Sequence, residues 1–128
     1  MKLKSEKKLT SRSAAEVFSF LSDMNNYKRL MPDQVTDWNS TTDHCEFNIT
    51  GAGKISMDIL ERAPISEIRM SGRAASTVQF KMNCSIISEN ESSVVQWFLE
   101  AELNPFLESL ASKPLQNFLD GLANRYAA

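Results

Sequence analysis

Between residues 44 and 100, apolar and polar side chains alternate, and this alternation restricts the possible folds more than any other sequence feature. Successive side chains of a strand point to opposite faces, so a period of two predicts strands with one apolar face. The apolar face collects Cys45, Phe47, Ile49, Ile55, Met57, Ile59, Ile68, Met70, Val78, Phe80, Met82, Cys84, Ile86, Val95, Trp97 and Leu99. Because a one-sided sheet must cover its apolar face, the pattern predicts a layered α+β fold.

The strands of this sheet are separated by short turn-forming segments. We predict an antiparallel meander with strands at about 35–40, 44–50, 54–62, 66–73, 77–88 and 93–103, and turns at 40–43, 51–53, 63–64, 74–76 and 89–92. The first ten residues also alternate, with Leu3 and Leu9 on one face, and this predicts a further strand. The curved sheet therefore has six to seven strands.

Three segments have helical patterns. Ser13-Ala14-Ala15-Glu16 is a capping box that opens a short helix, and a second short helix runs from Asn25 to Met31 before Pro32. A long helix runs from Pro105 to about Tyr126, and Pro114 should kink or break it. Its apolar stripe consists of Leu107, Leu110, Ala111, Pro114, Leu115, Phe118, Leu119 and Leu122, which is suited to cover the sheet.

Composition restricts the class of protein. The chain has 128 residues, 42% apolar and 23% charged, with a net charge of −2, which is typical of one globular domain over residues 1–128. The positive residues are dispersed, so we expect no nucleic-acid partner. The Lys-rich start lacks the apolar run of an export signal, and we expect no membrane insertion. Cys45 and Cys84 lack disulfide or metal spacing, which favours reduced thiols in the cytoplasm.

The sequence offers little for catalysis or metal binding. His44 is the only histidine and falls on the polar face, beside Glu46, so we predict no catalytic residue there. Asp58, Glu61, Arg62 and Arg69 cluster in adjacent strands and are interpreted as surface ion pairs. One histidine and two separated cysteines make no closed ligand set, so we expect no metal and no cofactor.

The order of these elements, together with three segments, resembles the START-like, Bet v 1-like (SRPBCC) superfamily that includes polyketide cyclases. The segments are residues 13–23 (SAAEVFSFLSD), the second helix from Asn25-Asn26-Tyr27 to Met31-Pro32, and the ending from Leu103-Asn104-Pro105 through Lys113-Pro114-Leu115 to Leu119. The chain looks like a small bacterial branch. The resemblance covers essentially the whole chain and implies a helix-grip fold with a cavity between the sheet and the long helix.

The resemblance implies that this cavity binds a small apolar or amphipathic molecule, such as a lipid or polyketide, and that the protein is a carrier or sensor. The expected lining residues are Phe47, Met57, Met70, Phe80, Met82, Trp97, Leu110, Pro114 and Phe118, with Tyr27, Arg69 and Ser71 as polar contacts. The same apolar residues would equally suit a filled core.

Two other classes of function stay open. One is a cyclase-like or aromatase-like enzyme, which a titratable group on the inner face would favour. The other is a partner-binding module or homodimer that uses Ile87, Val94 and Phe98 on the outer face, or a strand edge.

Overall fold

The computed structural model describes residues 1–51, 53–74 and 78–127. In this part of the chain, strands β1 (Lys2–Lys4) and β2 (Lys8–Thr10) precede helix α1 (Ala14–Leu21) and a 3₁₀ helix (Met24–Leu30). Six strands follow: β3 (Val35–Ser40), β4 (His44–Ile49), β5 (Gly53–Ala63), β6 (Glu67–Ala74), β7 (Val78–Glu89) and β8 (Ser92–Ala101). Helix α2 (Pro105–Ala127) ends the chain. The predicted turns at 51–53 and 74–76, and the predicted strand start at residue 77, include positions outside the described residues.

The strands form one antiparallel sheet in the order β1-β8-β7-β6-β5-β4-β3, with β2 also paired to β8. The meander from β3 to β8 places sequential strands side by side, as the hairpin connections require. Together with the two short helices after the first strand and the long C-terminal helix, this order confirms the predicted helix-grip fold. The prediction of six to seven strands holds when β1 and β2 are counted as one interrupted edge strand.

The edge strand is interrupted at Ser5, which is buried. The Ser5 hydroxyl accepts a hydrogen bond from the Trp97 backbone N–H at 3.0 Å, and the Ser5 N–H donates to the Trp97 carbonyl at 2.8 Å. Leu3 pairs with Leu99 but Leu9 pairs with Val94, so one extra residue lies in the edge strand. The shared face predicted for Leu3 and Leu9 is therefore wrong, and Leu9 is 65% exposed.

The apolar face predicted from the alternation forms the core. Fourteen of its residues are buried in one cluster, and Ile59 and Val78 pack against that cluster while partly exposed. A register shift between Ile59 and Glu61 then moves Arg62 to the side that the alternation had left apolar. Its guanidinium donates to the Ser22 carbonyl at the end of α1 at 2.8 Å, so Arg62 is not one of the predicted surface pairs.

Helix α2 begins at Asn104, whose side-chain oxygen accepts from the Leu107 N–H at 2.9 Å, and it continues through Pro114. The predicted break before Pro114 is therefore wrong. Only the second half of the helix is firmly packed, because Leu115, Phe118, Leu119 and Leu122 are buried. Leu110 is 59% exposed, so its predicted position in the interior is also wrong.

Candidate functional site

The interior between the sheet and α2 is the candidate site, and three rows of paired residues build its floor. Met70 pairs with Met82, which pairs with Leu99, and the next row joins Met57, Gly72 and Phe80. Cys84 pairs with Trp97 in a third row. Because facing residues of an antiparallel ladder lie on the same side, each row presents a continuous apolar wall.

The contact between sheet and helix is aromatic. The ring of Phe118 on α2 stacks on Phe47 of β4 with 5.6 Å between centroids, and Phe47 stacks on Trp38 at 5.3 Å. Offset stacking at these distances adds to the burial of apolar area. Phe118 therefore ties α2 to the far side of the sheet, because β3 and β4 lie at the edge opposite β1.

The predicted lining residues are brought together, and they are packed. Phe47, Met57, Met70, Phe80, Met82, Trp97 and Phe118 are all at most 4% exposed and belong to one cluster. The interior is therefore filled by side chains of this part of the chain. Pro114 lies at the junction between the exposed and buried halves of α2, and its side chain is half-buried.

The predicted polar contacts divide into two groups. Tyr27, from the 3₁₀ helix, is completely buried among the lining residues. Arg69 and Ser71 lie on the outer face, where Arg69 forms ion pairs with Glu61 and Glu67 at 3.3 and 2.7 Å. Arg69 is correspondingly not at the mouth of the interior, because its position in β6 has the opposite parity to Met70.

Sequence reasoning missed Tyr126 as a site residue. Its ring lies 6.3 Å from Trp97 and 5.6 Å from Phe20, measured between centroids, and its hydroxyl is buried. Tyr126 follows Leu122 by four residues and Phe118 by eight, so the helical period of the apolar stripe already indicated its side of α2. Burial raises the pKa of the Tyr126 hydroxyl above its ordinary value.

The two thiols are also part of the interior. Burial raises the pKa of Cys45 to about 12, and that of Cys84, which pairs with Trp97, still further. A thiol whose pKa is raised in this way stays protonated, and it is neither a good nucleophile nor a good metal ligand. Within the described ranges, no three His, Cys, Asp or Glu side chains are grouped to hold a metal ion.

His44 lies on the outer face, as predicted. Its Nδ1 is 2.7 Å from Asp58 and its Nε2 is 3.2 Å from Glu46, and the hydrogen bond to Asp58 is the largest cause of its raised pKa. Both ring nitrogens are thus engaged with carboxylates in water-exposed surroundings. This arrangement is a surface charge cluster and offers no substrate a free base.

Two hollows mark the outer face. One of about 920 Å³ is lined mainly by polar side chains such as Arg73 and Lys81, and it extends to Leu107 at the start of α2. Another of about 610 Å³ contains Leu60 and Phe98 between charged residues. Among the described helices, none combines the length and the apolar character needed to cross a membrane.

Comparison with known families agrees with this geometry. The family model for CoxG, a component of carbon monoxide dehydrogenase, matches residues 7–128, which is nearly the whole chain. The chain belongs to the CoxG family. No curated protein sequence matches this CoxG-family chain.

Solved structures are similar to this CoxG-family protein in fold. Truncated norcoclaurine synthase from Thalictrum flavum has a TM-score of 0.75 at 10% identity, with 99% of this chain and 91% of the other covered. A START superfamily protein from Mycobacterium smegmatis has a TM-score of 0.63 at 16% identity, with 98% of each chain covered. The protein XoxI from Bacillus cereus has a TM-score of 0.67 at 13% identity, with 96% and 93% covered. These matches confirm the START-like, Bet v 1-like superfamily.

Proposed function

We propose that this CoxG-family protein binds a small apolar or amphipathic molecule between the inner face of the sheet and α2, as a carrier or sensor. The observation that carries the proposal is the uneven packing of α2. Its second half is buried, whereas Phe106 and Leu110 in its first half are 71% and 59% exposed. Large apolar side chains left in water beside a core are typical of a segment that closes over something else.

The composition of the interior supports this function. Three methionines, Met57, Met70 and Met82, lie together on the floor. Methionine has no branches and several rotatable bonds, so it changes shape at lower cost than leucine or isoleucine. A filled interior of this kind makes room for a ligand when these side chains move and the first half of α2 is displaced. Pro114 is suited to be the hinge, because it cannot donate the helical hydrogen bond at that position.

The proposed roles of the site residues follow from their places. Phe47, Met57, Met70, Phe80, Met82, Trp97 and Phe118 form the walls, and Tyr27 provides a polar contact in the interior. Leu110 belongs to the entry surface rather than to the walls, because it is exposed. Proteins of this fold usually bind hydrophobic ligands, which is further support. We place the function in the cytoplasm, where two reduced buried cysteines such as Cys45 and Cys84 are usual.

A dye-displacement assay tests the proposal. A polarity-sensitive dye is bound to the protein and displaced by straight-chain alcohols of increasing length, at a temperature where every variant is folded. Phe118→Ala and Trp97→Ala, which enlarge opposite walls, should change which chain length binds best. Phe98→Ala, on the outer face, is the matched control and should leave the order of affinities unchanged. A wild-type protein that binds neither the dye nor any alcohol would contradict the proposal.

A second candidate function is binding of a protein partner through the outer face. Leu60, Ile87 and Phe98 expose 65%, 49% and 37% of their surface there. The family name refers to carbon monoxide dehydrogenase, so we propose an enzyme of that class as the partner. Co-elution of the purified enzyme with wild type, but not with Leu60→Asp or Phe98→Asp, would support this function. Co-elution that both variants retain would exclude this face.

A further inference from the structure

Three buried hydrogen-bonding groups in the interior have no partner among the residues that the structure describes. They are the Tyr27 hydroxyl, the Trp97 indole Nε1 and the Tyr126 hydroxyl. Tyr27 and Trp97 are 0% exposed and Tyr126 is 4% exposed. Buried polar side chains in folded proteins nearly always form hydrogen bonds, so three exceptions in one interior point to a group that this part of the chain does not supply.

The three groups come from different elements but meet in one place. Tyr27 lies on the 3₁₀ helix, Trp97 on β8 and Tyr126 near the end of α2. The rings of Trp97 and Tyr126 are 6.3 Å apart with their planes at 70°. Burial raises the pKa of Tyr27, and Trp97 and Tyr126 are both close enough to affect it, although the geometry of a hydrogen bond is not reached between these three described side chains. The convergence indicates one small polar cluster inside an apolar interior.

We infer that this cluster binds the oxygen of a neutral carbonyl group on the ligand, and this inference rests on the proposed function. The indole nitrogen of Trp97 can only donate a hydrogen bond, and each tyrosine hydroxyl can donate one. A carbonyl oxygen has two lone pairs and accepts from two such donors at once. Apolar walls then hold the rest of the molecule, so the ligand is an amphipathic ketone, ester or related carbonyl compound.

The charge of the site favours a neutral acceptor over a carboxylate. Burial is the main cause of the raised pKa of both Tyr27 and Tyr126, which means that a negative charge is poorly solvated here. The Arg12 guanidinium lies over the ring of Tyr126 at 5.2 Å, and it donates to the backbone carbonyl of that residue. A buried carboxylate without a closely paired cation is disfavoured in such a place.

Matched probes separate the polar contact from the apolar pocket. Propylbenzene and propiophenone share a skeleton and differ by a methylene against a carbonyl, and phenylpropionate carries a carboxylate. Dissociation constants for all three are measured by calorimetry for wild type, Tyr27→Phe and Tyr126→Phe. Trp97→Phe is compared with Trp38→Phe, whose indole already donates to the Ser40 hydroxyl at 3.0 Å and serves as the control.

The expected result is a selective loss. Tyr27→Phe or Tyr126→Phe should weaken propiophenone by about three- to tenfold, the value of one hydrogen bond, and leave propylbenzene unchanged. Trp97→Phe should reduce the preference for the ketone, and Trp38→Phe should not. Because each Tyr→Phe change removes a hydroxyl that makes no hydrogen bond to the described residues, both variants should stay folded.

Three results would overturn the inference. If the ratio of the propiophenone and propylbenzene dissociation constants is the same in wild type and in the Tyr→Phe variants, the cluster holds at most a structural water, while the proposed function stands. Tighter binding of phenylpropionate than of propiophenone would show an anion site. If wild type binds none of the probes, the inference and the proposed function fail together.

Discussion

Alanine in place of Gly72 should destabilise the protein, because its side chain would overlap the ring of Phe80. Gly72 on β6 faces Phe80 on β7, and a Cβ atom at Gly72 would lie 2.2, 2.6 and 2.7 Å from three ring atoms. Ordinary contacts begin at 3.4 Å, so the ring must move by roughly an ångström in a close-packed interior. We expect a loss of about 1–3 kcal/mol in the free energy of unfolding.

Urea unfolding followed by circular dichroism measures this loss. Gly121→Ala in α2 is the control, because its Cβ atom would have no described neighbour closer than 3.6 Å and alanine favours a helix by about 1 kcal/mol. Gly121→Ala should therefore stabilise the protein. Phe80→Leu combined with Gly72→Ala should cost less than the two changes added together, since the smaller side chain leaves space. Equal stability of Gly72→Ala and wild type would refute the packing of Phe80 over Gly72.

Three further predictions concern charges and thiols. Nuclear magnetic resonance should give His44 a pKa above its ordinary value of 6.5, and Asp58→Asn should lower it; its contribution to stability is then complete below pH 6.5 and lost as the pH rises through the raised pKa, and a pKa at or below 6.5 would contradict this. Arg62→Ala should cost about 1.5–3 kcal/mol in urea unfolding, because its charged hydrogen bonds to the end of α1 are lost, whereas Arg69→Ala on the exposed surface should cost less than about 1 kcal/mol. Cys84, whose pKa burial raises far above the usual range, should resist iodoacetamide at pH 8 until the protein unfolds, and labelling of the folded protein, measured by mass spectrometry, would show that it is accessible.

The alternation of side chains was enough to predict the sheet and its inner face. Cys45, Met57 and Trp97 are buried where parity put them, because the strands from β4 to β8 keep a period of two over most of their length. Parity failed where one residue was added to the register. The bulge at Ser5 moved Leu9 outward and the shift before Glu61 moved Arg62 inward, and neither is visible in the pattern of hydrophobicity.

The candidate site was harder to predict because it depends on contacts between distant segments. The helical stripe correctly placed Phe118 against the sheet, but the sequence could not show that α2 packs over its second half alone and leaves Leu110 in water. Likewise, the polar character of Tyr27 was visible while its burial beside Trp97 and Tyr126 was not. Such a cluster forms only when β8, α2 and the 3₁₀ helix meet in the folded chain.

The central claim is that an apolar molecule enters the interior between sheet and α2, and methyl resonances of methionine test it most directly. The chain has six methionines, of which Met57, Met70 and Met82 line the interior. Protein labelled with ¹³C at the methionine methyl groups is titrated with decanol. The account predicts saturable shifts of these three resonances, which remain in Phe98→Ala and change in Phe118→Ala. Shifts confined to Met1, or no shift at saturating decanol, would contradict it.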